Sequence, residues 1–423
     1  MLKKIISNSF FYFITTALIK LSMLIISIFV SRYTNKEIFG QYMLIRSTIS
    51  TFELISLFGM NQTSIKFIAQ NNNKNNIGIL EITLTNILYI TLFSSMLFSS
   101  MIFIYSNTIV NYFFNSSDYI LILSVKYSGL LLFFSMISVI LSSILNGFEK
   151  YKDLAITNLL AISLFVVPTF YLIFNFQLVG GIIGVIIFFL FSSVFKAYKI
   201  FTHMKDNKIK INYRINIKSI FNMIKFTLPV FFSIVLIIPI FWYSKTLLMN
   251  YNNDAFNEIA VFEASYQWLT IILVITGAVT NVSLALFSKL INNDDLIKAL
   301  FLNLFINISI SILLSIIFIY FSKYLLLIYG EEYNDTYLLK LLLISSIPFT
   351  AYSIINRFFI SVNKIWYNFY LSILWSILFL GYIYIDIENI NGLIIAKSFL
   401  LSYSSIFIIS FILLLIQNKE FIK

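Results

Sequence analysis

Stretches of 20 or more nearly uncharged, apolar residues follow one another along this sequence, separated by short polar breaks. A helix needs about 20 such residues to cross the hydrocarbon core of a bilayer. Twelve runs meet that test, at roughly 8–31, 38–60, 82–106, 119–145, 154–175, 178–195, 226–249, 260–287, 299–321, 340–361, 366–385 and 392–416. The first follows Lys3 and Lys4 as a signal peptide would. It is too long for one and lacks a small-x-small cleavage site, so it reads as the first span. With 60% hydrophobic and 11% charged residues over 423 positions, the chain could not present a polar surface to water. Soluble chains are roughly a quarter charged. The predicted class is an all-α integral membrane protein.

The same counts remove whole chemistries. Zero cysteines exclude disulfides, zinc–thiolate sites, iron–sulfur clusters and cysteine nucleophiles. A single histidine, His203, leaves no imidazole pair for a metal. No metal site and no cofactor is expected. The net charge of +11 reads as basic cytoplasmic loops, with no nucleic acid as partner. Of the 29 Lys and Arg, four fall in outer loops (Arg32, Lys36, Lys323 and Lys340) and six inside spans, leaving nineteen for the cytoplasmic segments. That asymmetry places both termini inside. Eight of the nineteen sit in 196–225, the one long cytoplasmic loop.

This loop divides the chain into residues 1–200, a six-helix lobe; 201–225, a basic cytoplasmic linker; and 226–423, a second six-helix lobe. Matching positions carry weak echoes: Glu37-Ile38 with Glu258-Ile259, Phe148-Glu149-Lys150 with Val362-Asn363-Lys364, and Gly180, Gly181 and Gly184 with Gly392 and Ala396. They favour a duplicated unit. Small residues four apart also let helices approach closely. Paired bundles around a central cleft are a transporter architecture. Span seven holds two of the four prolines, Pro229 and Pro239, so it should be bent or broken. The bend is either a static kink or a hinge for alternating access.

Charges inside spans cost several kcal/mol unless they serve or escape. The cations are Lys20, Arg46, Lys126, Lys245, Arg357 and Lys397, and the acids Glu53 and Glu263. All six cations are candidates for a cavity that binds an anion, and both acids for a counter-ion or coupling role. Depth separates them. Lys126, Lys245, Lys397 and Glu263 lie within about two turns of the outer end of their spans, and Arg357 lies near an inner end, so snorkelling is the plainer reading for these five. Lys20 is mid-span. Arg46 and Glu53 are seven residues apart, about two turns, and share one helix face. They are either a packing ion pair or the lining of a polar cavity. The excess of cations favours a cavity for an amphiphile with a phosphate or pyrophosphate head.

Ser31-Arg32-Tyr33, then Glu37-Ile38-Phe39-Gly40-Gln41-Tyr42 and the run to Phe58-Gly59-Met60, resemble the opening of the polysaccharide-exporter branch of the multidrug/oligosaccharidyl-lipid/polysaccharide (MOP) flippase superfamily. Leu228-Pro229 followed by Trp242-Tyr243 is similar to the family's start of the second lobe. Tyr329-Gly330-Glu331-Glu332-Tyr333 resembles its outer turn after span nine. The resemblance covers the whole chain in helix count and length. It implies a MATE-like fold of about 12 transmembrane helices in two six-helix lobes around a central cleft, and an O-antigen or capsule repeat-unit flippase (Wzx type). Such a protein moves undecaprenyl-pyrophosphate-linked oligosaccharide across the bacterial inner membrane. It works among membrane lipids, with a polysaccharide polymerase and a chain-length regulator as further partners. In related lipid II flippases basic residues of spans one and two line a cationic cleft, and Lys20 and Arg46 occupy comparable places. The chain departs in having Lys where Arg is usual, and no basic residue in the interior of span eight. A multidrug or cation antiporter of the same fold, and a membrane polysaccharide polymerase, are the competing expectations.

Overall fold

A computed structural model describes residues 2–73, 77–210, 216–287, 293–362 and 364–421. The described residues are helical with short connections, and internal packing divides the chain into two units, Met1–Val235 and Leu236–Lys423. The first holds α1 (Leu2–Tyr33), α2 (Lys36–Leu57), α3 (Met60–Asn73), α4 (Ile77–Ile104), α5 (Ser106–Phe113), α6 (Tyr119–Gly147), α7 (Tyr151–Asp206) and α8 (Ile217–Ile234). The second holds α9 (Ile237–Tyr251), α10 (Ala255–Phe287), α11 (Asn293–Tyr320), α12 (Ser322–Leu327), α13 (Thr336–Ser361), α14 (Ile365–Ile385), a 3-10 turn at Ile387–Asn389, and α15 (Gly392–Phe421).

Every apolar run of the sequence lies on a helix or a helix pair. Among the described residues nine helices are long and apolar enough to cross a membrane, or ten with the bent pair α2–α3. The expected twelve spans are compatible with this. Helix α7 carries two of the runs, and span seven is split between α8 and α9. Most telling is where the apolar surface lies. The spanning windows of α4 and α11 are only 22% and 28% buried at mean hydropathies of 2.0 and 2.4. Such faces are stable against lipid and costly against water.

Three breaks shape the helices. The first separates α2 from α3: Phe58 (φ 47°) and Gly59 (φ 73°) are left-handed, ending α2 and bending the pair by 46°. The second is inside α7, at Gln177 (φ 44°, ψ −115°). A side chain in such a region costs about 1–3 kcal/mol. Past it the chain doubles back: Phe188 meets Phe165 at 5.0 Å, Ser192 reaches Asn158 at 3.2 Å, and Lys199 pairs with Asp153 at 3.2 Å. The closeness depends on glycine. A Cβ on Gly180 would lie 2.0 Å from the Leu172 carbonyl oxygen, and one on Gly184 2.2 Å from Thr169. The small-residue spacing read from the sequence is therefore a packing requirement. The third break, Val235–Leu236, splits span seven between its prolines, as expected. Pro239 falls in the first turn of α9, where its missing N–H removes no helical hydrogen bond.

The expected basic loop is shorter than the sequence suggested. Helix α7 runs to Asp206 and α8 begins at Ile217, so Lys196, Lys199 and Lys205 are helical. Apolar helices extend past the membrane-length run wherever nothing stops them, and here no Pro or Gly intervenes. Arg214, counted in that loop, lies outside the described residues, as do Lys74, Lys289 and Lys423.

Candidate cationic site

In the first unit, α2 packs against α1, α6 and α7. Its N-terminus is fixed by the Asn35 side chain, which accepts from the Ile38 N–H at 2.7 Å. That register buries Tyr42 completely, and Arg46, one turn on, donates from Nη1 to the Tyr42 hydroxyl at 2.9 Å. The guanidinium also sits 5.7 Å from the Tyr42 ring centroid. Two turns further along α2 is Glu53, on which Ser135 of α6 and the charges of Arg46 and Lys20 act. Lys20 of α1 is solvent-accessible in the helical unit, and the charges of both Arg46 and Glu53 act on it.

The structure thus brings Lys20, Arg46 and Glu53 together. Among the described residues none of the three closes an ion pair within 4.0 Å. Arg46 is held by a phenol, and neither it nor Lys20 closes on the Glu53 carboxylate. A device whose task was to staple helices would be expected to close the pair.

The second unit offers that contrast. Lys245 of α9 and Glu263 of α10 form an ion pair, with side chains 3% and 6% exposed. The Lys245 ammonium also lies 4.6 Å from the Phe241 ring centroid. Snorkelling is therefore corrected for these two: they bury and neutralise one another. Beside them is an aromatic core in which Trp375 stacks on Phe379 at 4.8 Å and Phe399 meets Tyr403 at 4.6 Å. The turn after α12 closes on the same helix, α10. Tyr329 is fully buried and donates to Gln267 Oε1 at 3.1 Å, and Tyr333 packs beside it. Burial, then Tyr333 and Glu263, push the Tyr329 phenol well above its ordinary value, so it stays a donor.

The other candidates are dispersed. Lys126 of α6 is half-buried and 4.6 Å from the exposed Phe103 ring centroid, Lys397 near the start of α15 is exposed, and Arg357 of α13 is half-buried. Lys126 is thus separate from the cluster of Lys20, Arg46 and Glu53. Pro229 lies in α8 and Pro239 in α9, either side of the third break.

One buried cation escaped the sequence reading. Lys196 is 3% exposed, and its ammonium donates to Ser138 Oγ at 2.8 Å. Ser138 in turn meets Ser192 at 3.0 Å, and Ser192 donates to Asn158. The sequence placed Lys196 in a loop because the apolar run ends at 195. The serines spaced through spans four and six were the available signal. Among the described residues no three His, Cys, Asp or Glu are grouped to hold a metal.

A family profile described as "polysaccharide biosynthesis protein" matches residues 5–291. No curated protein sequence matches. Among solved structures the chain is similar to a multidrug resistance MATE family transporter of the MOP superfamily in its inward-facing conformation (TM-score 0.73, 16% identity, 95% of this chain and 94% of that one). The outward-facing conformation of such a transporter gives 0.72 and 16%, covering 100% and 96%. A MOP superfamily transporter from Pyrococcus furiosus, described by a reversed polarity of its binding pocket, gives 0.72 and 15%, covering 100% and 96%. Identities this low show the fold alone. With the profile spanning two-thirds of its length, this multi-pass membrane protein belongs to the polysaccharide biosynthesis protein family and has the MATE-like fold of the MOP superfamily.

Proposed function

We propose that the protein is a flippase that carries undecaprenyl-pyrophosphate-linked oligosaccharide repeat units from the inner to the outer leaflet of the bacterial inner membrane, with both termini cytoplasmic. It changes no covalent bond. The observation that carries this reading is the cluster of Lys20, Arg46 and Glu53: two cations in the interior of apolar helices, beside a carboxylate that closes no ion pair with either. Two cationic side chains suit a pyrophosphate, which presents several acceptor oxygens, and Arg46 is already oriented by Tyr42.

In this reading Lys20 and Arg46 hold the head group, and transport proceeds by alternating access, with Pro229 and Pro239 flanking the hinge. Glu53 is the coupling group. Proton or ion binding there would change its interaction with the two cations. Lys126, Arg357 and Lys397 are candidates for secondary contacts. Lys245 and Glu263, joined to each other, are better placed to rigidify the second unit.

The test is genetic. The gene is deleted in its host and complemented with wild type, Lys20→Ala, Arg46→Ala and Glu53→Gln, with membrane expression checked for each. Deletion should trap complete lipid-linked units on the cytoplasmic face, and the first two expressed variants should fail to rescue surface polysaccharide. Units arriving unpolymerised at the outer face would identify a polymerase instead. Normal surface polysaccharide together with drug sensitivity would identify an antiporter.

A further inference from the structure

The first unit contains a cavity of about 510 Å3 at the end that the Lys and Arg distribution assigns to the outside. Its volume lies within the roughly 300–1,000 Å3 range of small-molecule pockets. Three elements meet there: the first turns of α2, the first turns of α6, and the break in α7. Glu37 and Asp118 bring carboxylates, the latter also accepting from the Ile120 N–H, Gln41 and Gln177 bring amides, Phe176 brings an exposed ring, and the buried Leu178 adds apolar surface.

Gln41 is the informative residue. It is 6% exposed and lines the cavity. An amide in a cavity wall can both donate to and accept from a ligand that enters. Gln177, also in the lining, is the residue held at φ 44°.

The second unit shows what the same place becomes when it is closed. Aligning Glu37-Ile38 with Glu258-Ile259 puts Phe262 at the position of Gln41, and Phe262 is fully buried. Glu258 Oε2 there accepts from the Gly392 N–H at 2.8 Å, and Asn252 donates to the Ile390 carbonyl at 2.8 Å. One unit is sealed by a phenyl ring and a capped carboxylate. The other keeps a Gln and an open space.

The geometry points to a saccharide subsite: the cavity binds one hydroxyl-rich sugar ring of the transported oligosaccharide at the outer end of the first unit. Carboxylates accept from sugar hydroxyls, amides both donate and accept, and an aromatic ring suits the apolar face of a pyranose. Two carboxylates disfavour a phosphate here. The assignment of the sugar to transported substrate rests on the flippase reading; the sugar site itself does not.

The full-length protein in lipid nanodiscs is examined by saturation-transfer NMR with methyl α-glucoside, methyl α-galactoside and N-acetylglucosamine. At least one sugar should receive saturation in wild type. The signal should fall about five-fold or more in Gln41→Leu, as expected for a lost buried hydrogen bond. Gln177→Gly, which tolerates the left-handed backbone while removing the amide, should lose signal with unchanged thermal stability. Lys20→Ala should bind sugar as wild type does. No transfer from any of the three sugars, or equal transfer in wild type and both cavity variants, would overturn the site. If the wild type does not flip lipid-linked oligosaccharide while the sugar signal still depends on Gln41, the flippase reading fails and the sugar site stands.

Discussion

A cation in a membrane helix is paid for by a partner, kept for a ligand or led to a polar boundary, and Lys245, Lys20 with Arg46, and Lys397 illustrate the three. Lys245 has its partner in Glu263. Removing one member leaves a buried charge alone, so Lys245→Ala should destabilise by about 3–5 kcal/mol. The double variant Lys245→Met with Glu263→Gln should recover most of that loss in a thermal melt of detergent-purified protein. Lys196 behaves differently, because among the described residues its buried ammonium meets Ser138 alone. Lys196→Met leaves no orphaned charge behind. Its melting temperature should stay at or above that of wild type, and a collapse comparable to Lys245→Ala would contradict this account of its surroundings. For Lys20 and Arg46, alanine should spare stability and remove transport. The sequence exposed Lys20, Arg46 and Glu53 through depth and helical spacing alone. It missed the closure of Lys245 on Glu263, since spacing within one helix says nothing about which neighbour a side chain meets. Lys126 and Lys397 remain at the periphery, consistent with long side chains reaching for a polar boundary.

At the level of the helices, breaks carry as much information as the runs between them. The hairpin inside α7 requires Gly180 and Gly184 where the two arms touch. Gly180→Val would drive side-chain atoms into a backbone carbonyl that cannot yield. A loss of about 3 kcal/mol or more is expected, read as failure to accumulate in membranes. Gly78, whose Cβ would meet nothing within 4 Å, should tolerate Ala. The apolar runs were legible because a bilayer demands length and hydrophobicity, and proline placement announced the split of span seven. The ends of helices were not. Helix α7 continues to Asp206 because no residue there stops it, and α3 continues beyond the Phe58-Gly59 bend with a mostly polar composition that no membrane window selects.

For the molecule as a whole, family and fold join polysaccharide biosynthesis to a transporter framework, and the cationic cluster of the first unit suits the anionic cargo proposed for it. The orientation follows from loop charge and is open to direct mapping. The chain has no cysteine, so a single introduced one reports without background. Asn334→Cys should react with a membrane-impermeant maleimide in intact cells, and Asn207→Cys should react only after permeabilisation. The most direct measurement is flipping itself. Purified protein is reconstituted into liposomes with undecaprenyl-pyrophosphate-linked oligosaccharide from the host, and outer-leaflet glycan is followed by an impermeant glycosidase. Wild type should render the inner-leaflet pool accessible, whereas Lys20→Ala and Arg46→Ala, equally well folded, should leave it protected. Equal flipping by wild type and both variants would contradict the claim that this cluster holds the head group.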